Sequence, residues 1–523
     1  MHKMFKPIHA FSRAGRRFHI GLDHGTQSTK ICLMSSKAEV LFVQSKEHKI
    51  HSPQESFLQI SPEEVTQNIR ELFAQLKTYV QNTECCKLEE IESLGLTNQR
   101  ESVVLWDSET GEPLTDVILW SDNRTKEICQ SLVLKYGGSE VFKDRTGLPI
   151  STFFTLFKIL WALEHVPAVQ KANERGRLRV STMDSWILRK LTNESHHVSD
   201  HTNASRTFMY NINKLDWDLD ILKEFRLNRE ILPELKDSCD DFGTLKVEEL
   251  EHVKINTVLG DQQAAVFGVG CIESRDWNVT FGTSTVMIKP TGPSPKFLPN
   301  FLTSLLFHDK KQTIFGIEGL VETGGISLNF FQNQLNILKN VAEMSKKTAN
   351  LPIEEMLHDK FFIGTFNGIF APVWNSSMRS MLVGLSQSDD PVSIFSAVLE
   401  GVAFRMVDQL LCAPEEELDT SRLIFNGGLS KSHYLRRFCA QLLQKNVETS
   451  TFADSTVLGV TLLSSLYKPG HAINFSKMQK LLPPREATLP EAIPQVSSAL
   501  KVKYERYKLL RDFGAQFFEP KNH

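Results

Sequence analysis

The sequence predicts an α/β protein built from two similar halves, and three observations carry that expectation. Short apolar runs suited to strands alternate with helix-length amphipathic runs along the chain. Two strand–turn–strand units with Gly-Thr turns lie half a chain apart, Thr26 and Thr283 being 257 positions from one another. A length of 523 residues is too great for one ordinary core and corresponds to roughly two to four domains.

The elements follow in order. The first 22 residues hold Lys3, Lys6, Arg13, Arg16 and Arg17 with no acid, and lack the apolar stretch of a secretory signal. They read as a basic extension that leaves a mitochondrial address open. Arg17 to Asp23 suits a strand, His24 to Thr29 a turn of glycine and hydroxyls, and Lys30 to Met34 the returning strand. Ser61-Pro62-Glu63-Glu64 combines an N-cap serine, a proline at the first helical position and a glutamate at the third. Val65, Ile69, Leu72, Phe73, Leu76 and Val80 then continue at helical spacing. Strands are expected at 91–96, 102–106 and 117–120, with a turn over 107–113. In the second half Trp277 to Ile288 repeats the hairpin around Gly282-Thr283-Ser284. Leu423 to Phe425 reads as a strand, followed by Asn426-Gly427-Gly428-Leu429-Ser430 and a helix with Leu435, Phe438 and Leu442 on one face. Pro483-Pro484 marks a break, and 502–510 reads as a short amphipathic helix. The expected division is therefore a basic extension 1–17, a first domain 18–270, a second domain 271–482 and a tail 483–523.

Composition excludes several classes of function. With 41% hydrophobic and 23% charged residues the chain matches an ordinary soluble globular protein. A net charge of -3 offers no case for nucleic acid as a partner. No run reaches the roughly 18 to 20 apolar residues of a transmembrane segment. Eight cysteines without a CxxC pair read as reduced thiols, which points to the cytoplasm or a mitochondrion.

Glycine in a Gly-Thr turn lets backbone N–H groups converge on an anion while the hydroxyls add donors, so such a turn can hold phosphate. One alone is usually a plain turn; two at matched positions, the first led by Asp23, argue for paired phosphate loops. No GxxxxGK[ST] pattern occurs at either. Asp261, in Gly260-Asp261-Gln262-Gln263, sits at a strand-to-helix junction, where an aspartate taken alone is an N-cap. Together with Arg100-Glu101 and Trp120 it forms a polyol site: an arginine and a carboxylate for hydroxyls, a ring over the carbons, and a proton acceptor.

Asp23-His24-Gly25-Thr26, Thr97-Asn98-Gln99-Arg100-Glu101, Asn203-Ala204-Ser205-Arg206-Thr207, Leu215-Asp216-Trp217-Asp218, Gly260 to Ala265 and Asn426-Gly427-Gly428 resemble the glycerol kinases of the FGGY carbohydrate kinase family. The resemblance runs from about residue 18 to about residue 470. It implies two actin-like (ribonuclease H-like) ATPase domains flanking a deep catalytic cleft, with ATP and Mg2+ as cofactors. It further implies Asp261 as catalytic base, and Arg100, Glu101, Trp120, Phe153, Asp261 and Gln262 as glycerol-binding positions. The matching ATP-binding positions are Thr26, Gln27, Ser28, Lys30, Thr283, Gly325, Asn329, Gly428, Leu429 and Ser432. Asp23 would hold Mg2+ through water, with Asp261 the second acidic group near the metal. A homodimer is left open.

Departures from the family pattern cluster at the ligands. Phe153 stands where a glycerol-binding tyrosine is usual and Val286 where an aromatic covers the carbons, so the site is expected to keep its polar clamp and lose aromatic wall. Gln27, Lys30, Asn329, Asn426, Ser432 and the Met378-Arg379-Ser380 segment also depart, and Ser393 replaces an acid, amide or histidine. The expected activity is ATP-dependent phosphorylation of glycerol to sn-glycerol 3-phosphate. The alternatives are a kinase for another small polyol or sugar, or a catalytically weak nucleotide-binding relative.

Overall fold

In the computed structural model the described residues are 17–192, 197–366, 368–375, 377–418, 422–452 and 454–519. The basic extension, Arg17 apart, lies outside them. Two sheets dominate. The first has five strands in the spatial order Lys254–Gly260, Ile91–Asn98, Phe18–His24, Ser28–Ser35, Val40–Glu47. Phe18–His24 pairs antiparallel with Ser28–Ser35 and parallel with Ile91–Asn98, which is itself parallel to Lys254–Gly260. The second sheet repeats this plan. Asp276–Phe281 is antiparallel to Thr285–Gly292 and parallel to Arg422–Gly427, which is parallel to Asn446–Ser450. The two hairpins thus occupy equivalent places in the two sheets, as their spacing predicted.

The helix announced by Ser61-Pro62 spans Pro62–Thr83, and the Ser61 side chain accepts from the Glu64 N–H as an N-cap. Its buried face is Val65, Ile69, Leu72, Phe73, Leu76 and Val80, which joins the core of the first sheet. In the second half Pro391–Leu410 is buried along nearly its whole length against the second sheet.

The segment after Pro483 is not a loose tail. Arg485–Thr488 adds an antiparallel strand to the second sheet beside Asn446–Ser450. The short helix expected over 502–510 is the middle of Pro494–Phe517, with Leu500, Tyr504 and Tyr507 buried. The Tyr504 hydroxyl donates to Asp408 at 2.6 Å and Arg511 pairs with Asp408 at 2.7 Å. Sequence alone under-read this helix because its buried face is tyrosine, lysine and arginine stem, which weakens an apolar stripe.

The halves interlock through two helices. Asp261–Gly268 leaves the first sheet, and Ser455–Leu466, which follows the second sheet's Asn446–Ser450, packs back onto the first. Their backbones touch: a Cβ on Gly268 would lie 1.8 Å from the Ser455 carbonyl oxygen, and one on Gly459 1.9 Å from that of Ala264. Gly95 makes the same allowance for the Val460 carbonyl, at 2.5 Å. Both atoms facing the two crossing glycines are backbone, so nothing there can swing aside. Gly459→Ala should therefore destabilise the protein by about 1 to 3 kcal/mol, as overpacking does, seen as a lowered Tm and weaker substrate-induced stabilisation in a thermal melt.

Candidate active site

Parallel pairing sets the site. Asp23 lies opposite Thr97, and Gly260 opposite Asn98, so the carboxyl ends of three adjacent strands release Asp23, Arg100 and Asp261 at one edge. Gly260 permits the close approach, since a Cβ there would sit 2.8 Å from Arg100 Cδ. Arg100 donates from both Nη atoms to Glu318, at 2.8 and 2.9 Å, and its Nε lies 3.4 Å from Asp261 Oδ1. Glu101 adopts a left-handed φ of 62° and accepts from Arg206 Nε at 2.6 Å. Such a backbone costs of the order of 1 kcal/mol or more and is held here by the ion pair. Arg206 also reaches Glu318 at 3.2 Å, and Ser304 Oγ donates to Glu318 at 2.7 Å.

Glu318 therefore clamps two arginines from the other half of the chain. Burial works to raise its pKa, but Arg100 and Arg206 prevail and hold the carboxyl down at about 2. Sequence reasoning missed it. The available signal was a lone acid in the apolar run Thr313–Val321, where a buried charge requires a partner.

Asp261 heads its helix, accepts from the Gln262 N–H at 2.7 Å, and keeps its side chain 24% exposed. Burial, then the nearby Glu101 and Glu318 charges, outweigh Arg100 and raise its pKa to about 6. Asp23 is pushed up to about 7, chiefly by burial, with Asp261 and Asp454 adding to the rise and Lys30 opposing it. Its Oδ1 is buried without a hydrogen-bond partner, as are Thr97 Oγ1 and Gln262 Oε1. Three orphaned acceptors and two strained carboxyls at one strand edge fit a divalent cation beside Asp23 and a hydroxylated ligand beside Gln262.

Three aromatic rings gather beside the first hairpin. Trp120 donates from Nε1 to Thr26 Oγ1 at 2.8 Å, and its ring stacks on Phe153 with centroids 5.6 Å apart. Phe370, from the second half, meets Phe153 edge-on at 6.0 Å. The Phe370 N–H donates to Glu322, which Arg405 grips at 2.7 and 3.1 Å. Val286 is buried within its strand. Phe370 thus reaches Phe153 from a loop that no local pattern marked.

On the nucleotide side, Gly325 N–H donates to the Gly282 carbonyl at 2.8 Å and Ile326 N–H to that of Thr283 at 3.0 Å, seating the Gly324-Gly325 turn on the second hairpin. Thr283 stays exposed there. Gly428 faces open space, with no atom within 4 Å of a Cβ built on it. Lys30 bonds Asp454 at 2.5 Å, and the adjoining Ser455 donates to Asn426 Oδ1 at 3.2 Å, so the first hairpin and the Gly427-Gly428 turn are tied together. Ser28 is half-buried in the returning strand, and the Gln27 side chain is exposed at the turn. Leu429 packs partly into the core. Ser432 caps the helix His433–Leu443 by accepting from the Leu435 N–H, and Asn329 is exposed at the end of Gly325–Asn329. The Ser432 N–H also donates to the Leu429 carbonyl at 2.9 Å, which seats that cap on the segment following the Gly427-Gly428 turn.

Carboxyls whose folded pKa is raised bind protons more tightly than in the unfolded chain, so they cost stability progressively as pH rises from the unfolded pKa to the folded one. For Asp23 that window runs from 3.8 to about 7. Asp23→Asn should raise Tm at pH 8, and the gain should shrink to nothing by about pH 3, where Asp23 is protonated in folded and unfolded chain alike; a gain unchanged across a pH series of melts would contradict the assignment.

The comparisons with known proteins agree with this geometry. The FGGY family of carbohydrate kinases, N-terminal domain, matches residues 18–268, and the C-terminal domain of the same family matches 277–466. A glycerol kinase of Mycoplasmoides gallisepticum is 32% identical over 477 residues, covering 89% of this chain and 92% of that protein. A glycerol kinase of Aquifex aeolicus is 32% identical over 453 residues, covering 86% and 89%. Among solved structures, Plasmodium falciparum glycerol kinase with ADP superposes with a TM-score of 0.83 at 23% identity, covering 97% of this chain and 99% of that one. Ligand-bound xylulose kinase from Lactobacillus acidophilus gives 0.82 at 22%, covering 96% and 99%. The two-domain, actin-like ATPase fold is shared with both, and the chain is a kinase that transfers phosphoryl from ATP to an alcohol group. With both domain matches in order across the two sheets, the chain belongs to the FGGY family of carbohydrate kinases.

Proposed function

We propose that the chain phosphorylates glycerol to sn-glycerol 3-phosphate, with Asp261 as the general base. The observation that carries this reading is the placement of Asp261: a partly exposed carboxylate at a strand end, 3.4 Å from Arg100, beside the unpaired Gln262 Oε1. The curated relatives at 32% identity, named glycerol kinases, support the substrate.

In this reading Gln262 and Glu101 orient the hydroxyls while Trp120, Phe153 and Phe370 cover the carbons. Asp261 accepts the proton of the primary hydroxyl as its oxygen attacks the γ-phosphorus in line. Thr26 and Thr283, one on each hairpin turn, donate to phosphate oxygens, and the open face of Gly428 lets the nucleotide lie close to the backbone. Asp23 would hold Mg2+, which when bound supplies charge neutralisation on the phosphates. Phosphoryl transfer needs chiefly positioning and such neutralisation, so one base with two backbone-rich loops suffices.

A base with a pKa near 6 must be deprotonated to act. Glycerol-dependent ADP release, followed by a coupled assay, should therefore rise in kcat/KM as pH climbs through about 6 and level above it. Asp261→Asn should lower kcat by about 10^2 to 10^4 and abolish that inflection; a variant as active as wild type would remove Asp261 from the mechanism.

A second reading, a kinase for another small polyol or sugar, is favoured by one feature. Phe153 has no hydroxyl where the family pattern has a tyrosine, so the site offers glycerol one hydrogen-bonding group fewer there, and the Arg100 fork is turned to Glu318. Phe153→Tyr should lower KM for glycerol about fivefold to tenfold if glycerol is the substrate, the gain of one hydrogen bond of about 1 kcal/mol. In a polyol panel, a longer substrate exceeding glycerol in kcat/KM, with no gain from Phe153→Tyr, would establish the second reading.

A further inference from the structure

Away from the kinase site, His201, Asp237 and His308 converge where the two halves meet. Glu234–Lys236 runs parallel to Val198–Asp200, so the residues that leave these strands, Asp237 and His201, emerge side by side. His308 ends Leu302–His308, the edge strand of the second sheet, and is locked to Ser238 by backbone: the Ser238 N–H donates to the His308 carbonyl at 2.8 Å. One potential ligand atom from each of the three lies within 4.8 Å of the others.

We propose that His201, Asp237 and His308 form a binding site for a zinc-class divalent cation, separate from the metal position at Asp23. The ring orientations are those of ligands already in place. His201 Nδ1 is engaged by the Tyr210 hydroxyl at 2.8 Å and His308 Nδ1 by Thr313 Oγ1 at 2.9 Å, which leaves Nε2 of each ring for a metal. Metal-bound histidines are held through their second nitrogen in this way. His308 Nε2 lies 4.0 Å from Asp237 Oδ1, while the Lys310 N–H donates to Asp237 Oδ2 at 3.2 Å. Zinc bonds of roughly 2.0 to 2.2 Å place ligands about 3.4 Å apart, so closure needs only small rotations of side chains. The His308 and Asp237 side chains are 17% and 15% exposed, which opens a route from solvent.

Two imidazole nitrogens with one carboxylate oxygen suit zinc over the hard, oxygen-seeking Mg2+, and leave a fourth position for water. Asp200, which caps the helix starting at His201, also accepts from Ser238 Oγ at 3.0 Å. The same short segment carries Asn203, bonded to Asn98, and Arg206, bonded to Glu101. A bound cation would tie that polyol-facing segment to the strand that carries Ser304, across the junction of the halves.

The test uses the full chain freed of metal with EDTA and titrated with Co2+. Wild type should take one Co2+ per chain and show the visible absorption of a four-coordinate site without thiolate charge transfer; Zn2+ should displace it and raise Tm. His308→Gln and Asp237→Asn should lose this spectrum, and Thr313→Val, which removes only the supporting hydroxyl, should weaken binding about tenfold. A double Cys85→Ser, Cys86→Ser variant should bind as wild type does. Should His308→Gln fail to fold, Asp237→Asn and Thr313→Val decide. No Co2+ band in wild type, a band unchanged in Asp237→Asn and Thr313→Val, or one lost in the cysteine variant would each overturn the site.

Discussion

The structure depends on one backbone contact, the crossing of Asp261–Gly268 with Ser455–Leu466. Each helix belongs to one half of the chain by sequence and touches the other by packing. Because Gly268 and Gly459 present no side chain, carbonyl oxygens take the space that Cβ atoms would fill. That contact fixes two functional ends at once. Asp261 stands at the start of the first helix, and Asp454, the partner of Lys30, stands just before the second. Asp261, the proposed base, and Lys30, on the first hairpin, are thereby referred to the same joint.

Charge is the second organising constraint. Arg100, Arg206, Glu101, Glu318 and Asp261 form one largely buried network, and removing Glu318 would leave two buried guanidinium groups short of a partner at a cost of about 3 to 5 kcal/mol. The surroundings of Asp23 have the opposite character, with its Oδ1 lacking a hydrogen-bond partner and its carboxyl pushed upward. One region is internally satisfied and rigid. The other leaves a buried acceptor unsatisfied, which suits the nucleotide and metal proposed for it.

Much of this was legible along the chain. The hairpins at Thr26 and Thr283 announced the duplicated sheets because a turn with glycine and hydroxyls between apolar runs is a local feature. Ser61-Pro62 announced its helix for the same reason. Glu318 and Phe370 were not legible, since each matters only through partners far away in sequence, Arg100 and Phe153 respectively. The terminal helix was under-read because tyrosine, lysine and arginine on its buried face find their partners, Asp408 and Glu400, only in the folded second domain.

By itself, the sequence determined the α/β class, the two-fold repetition and the family resemblance, and it singled out Asp23, Arg100, Glu101 and Asp261 as candidates, because these rest on residue type and short-range order. Only the tertiary structure decided which strand ends lie together, that Arg100 is clamped by Glu318, that Ser432 serves as a helix cap, and that His201, Asp237 and His308 share one corner. The physical reason is parallel pairing: strands distant in sequence deliver their carboxyl ends to one edge, and no local pattern records which edge that will be.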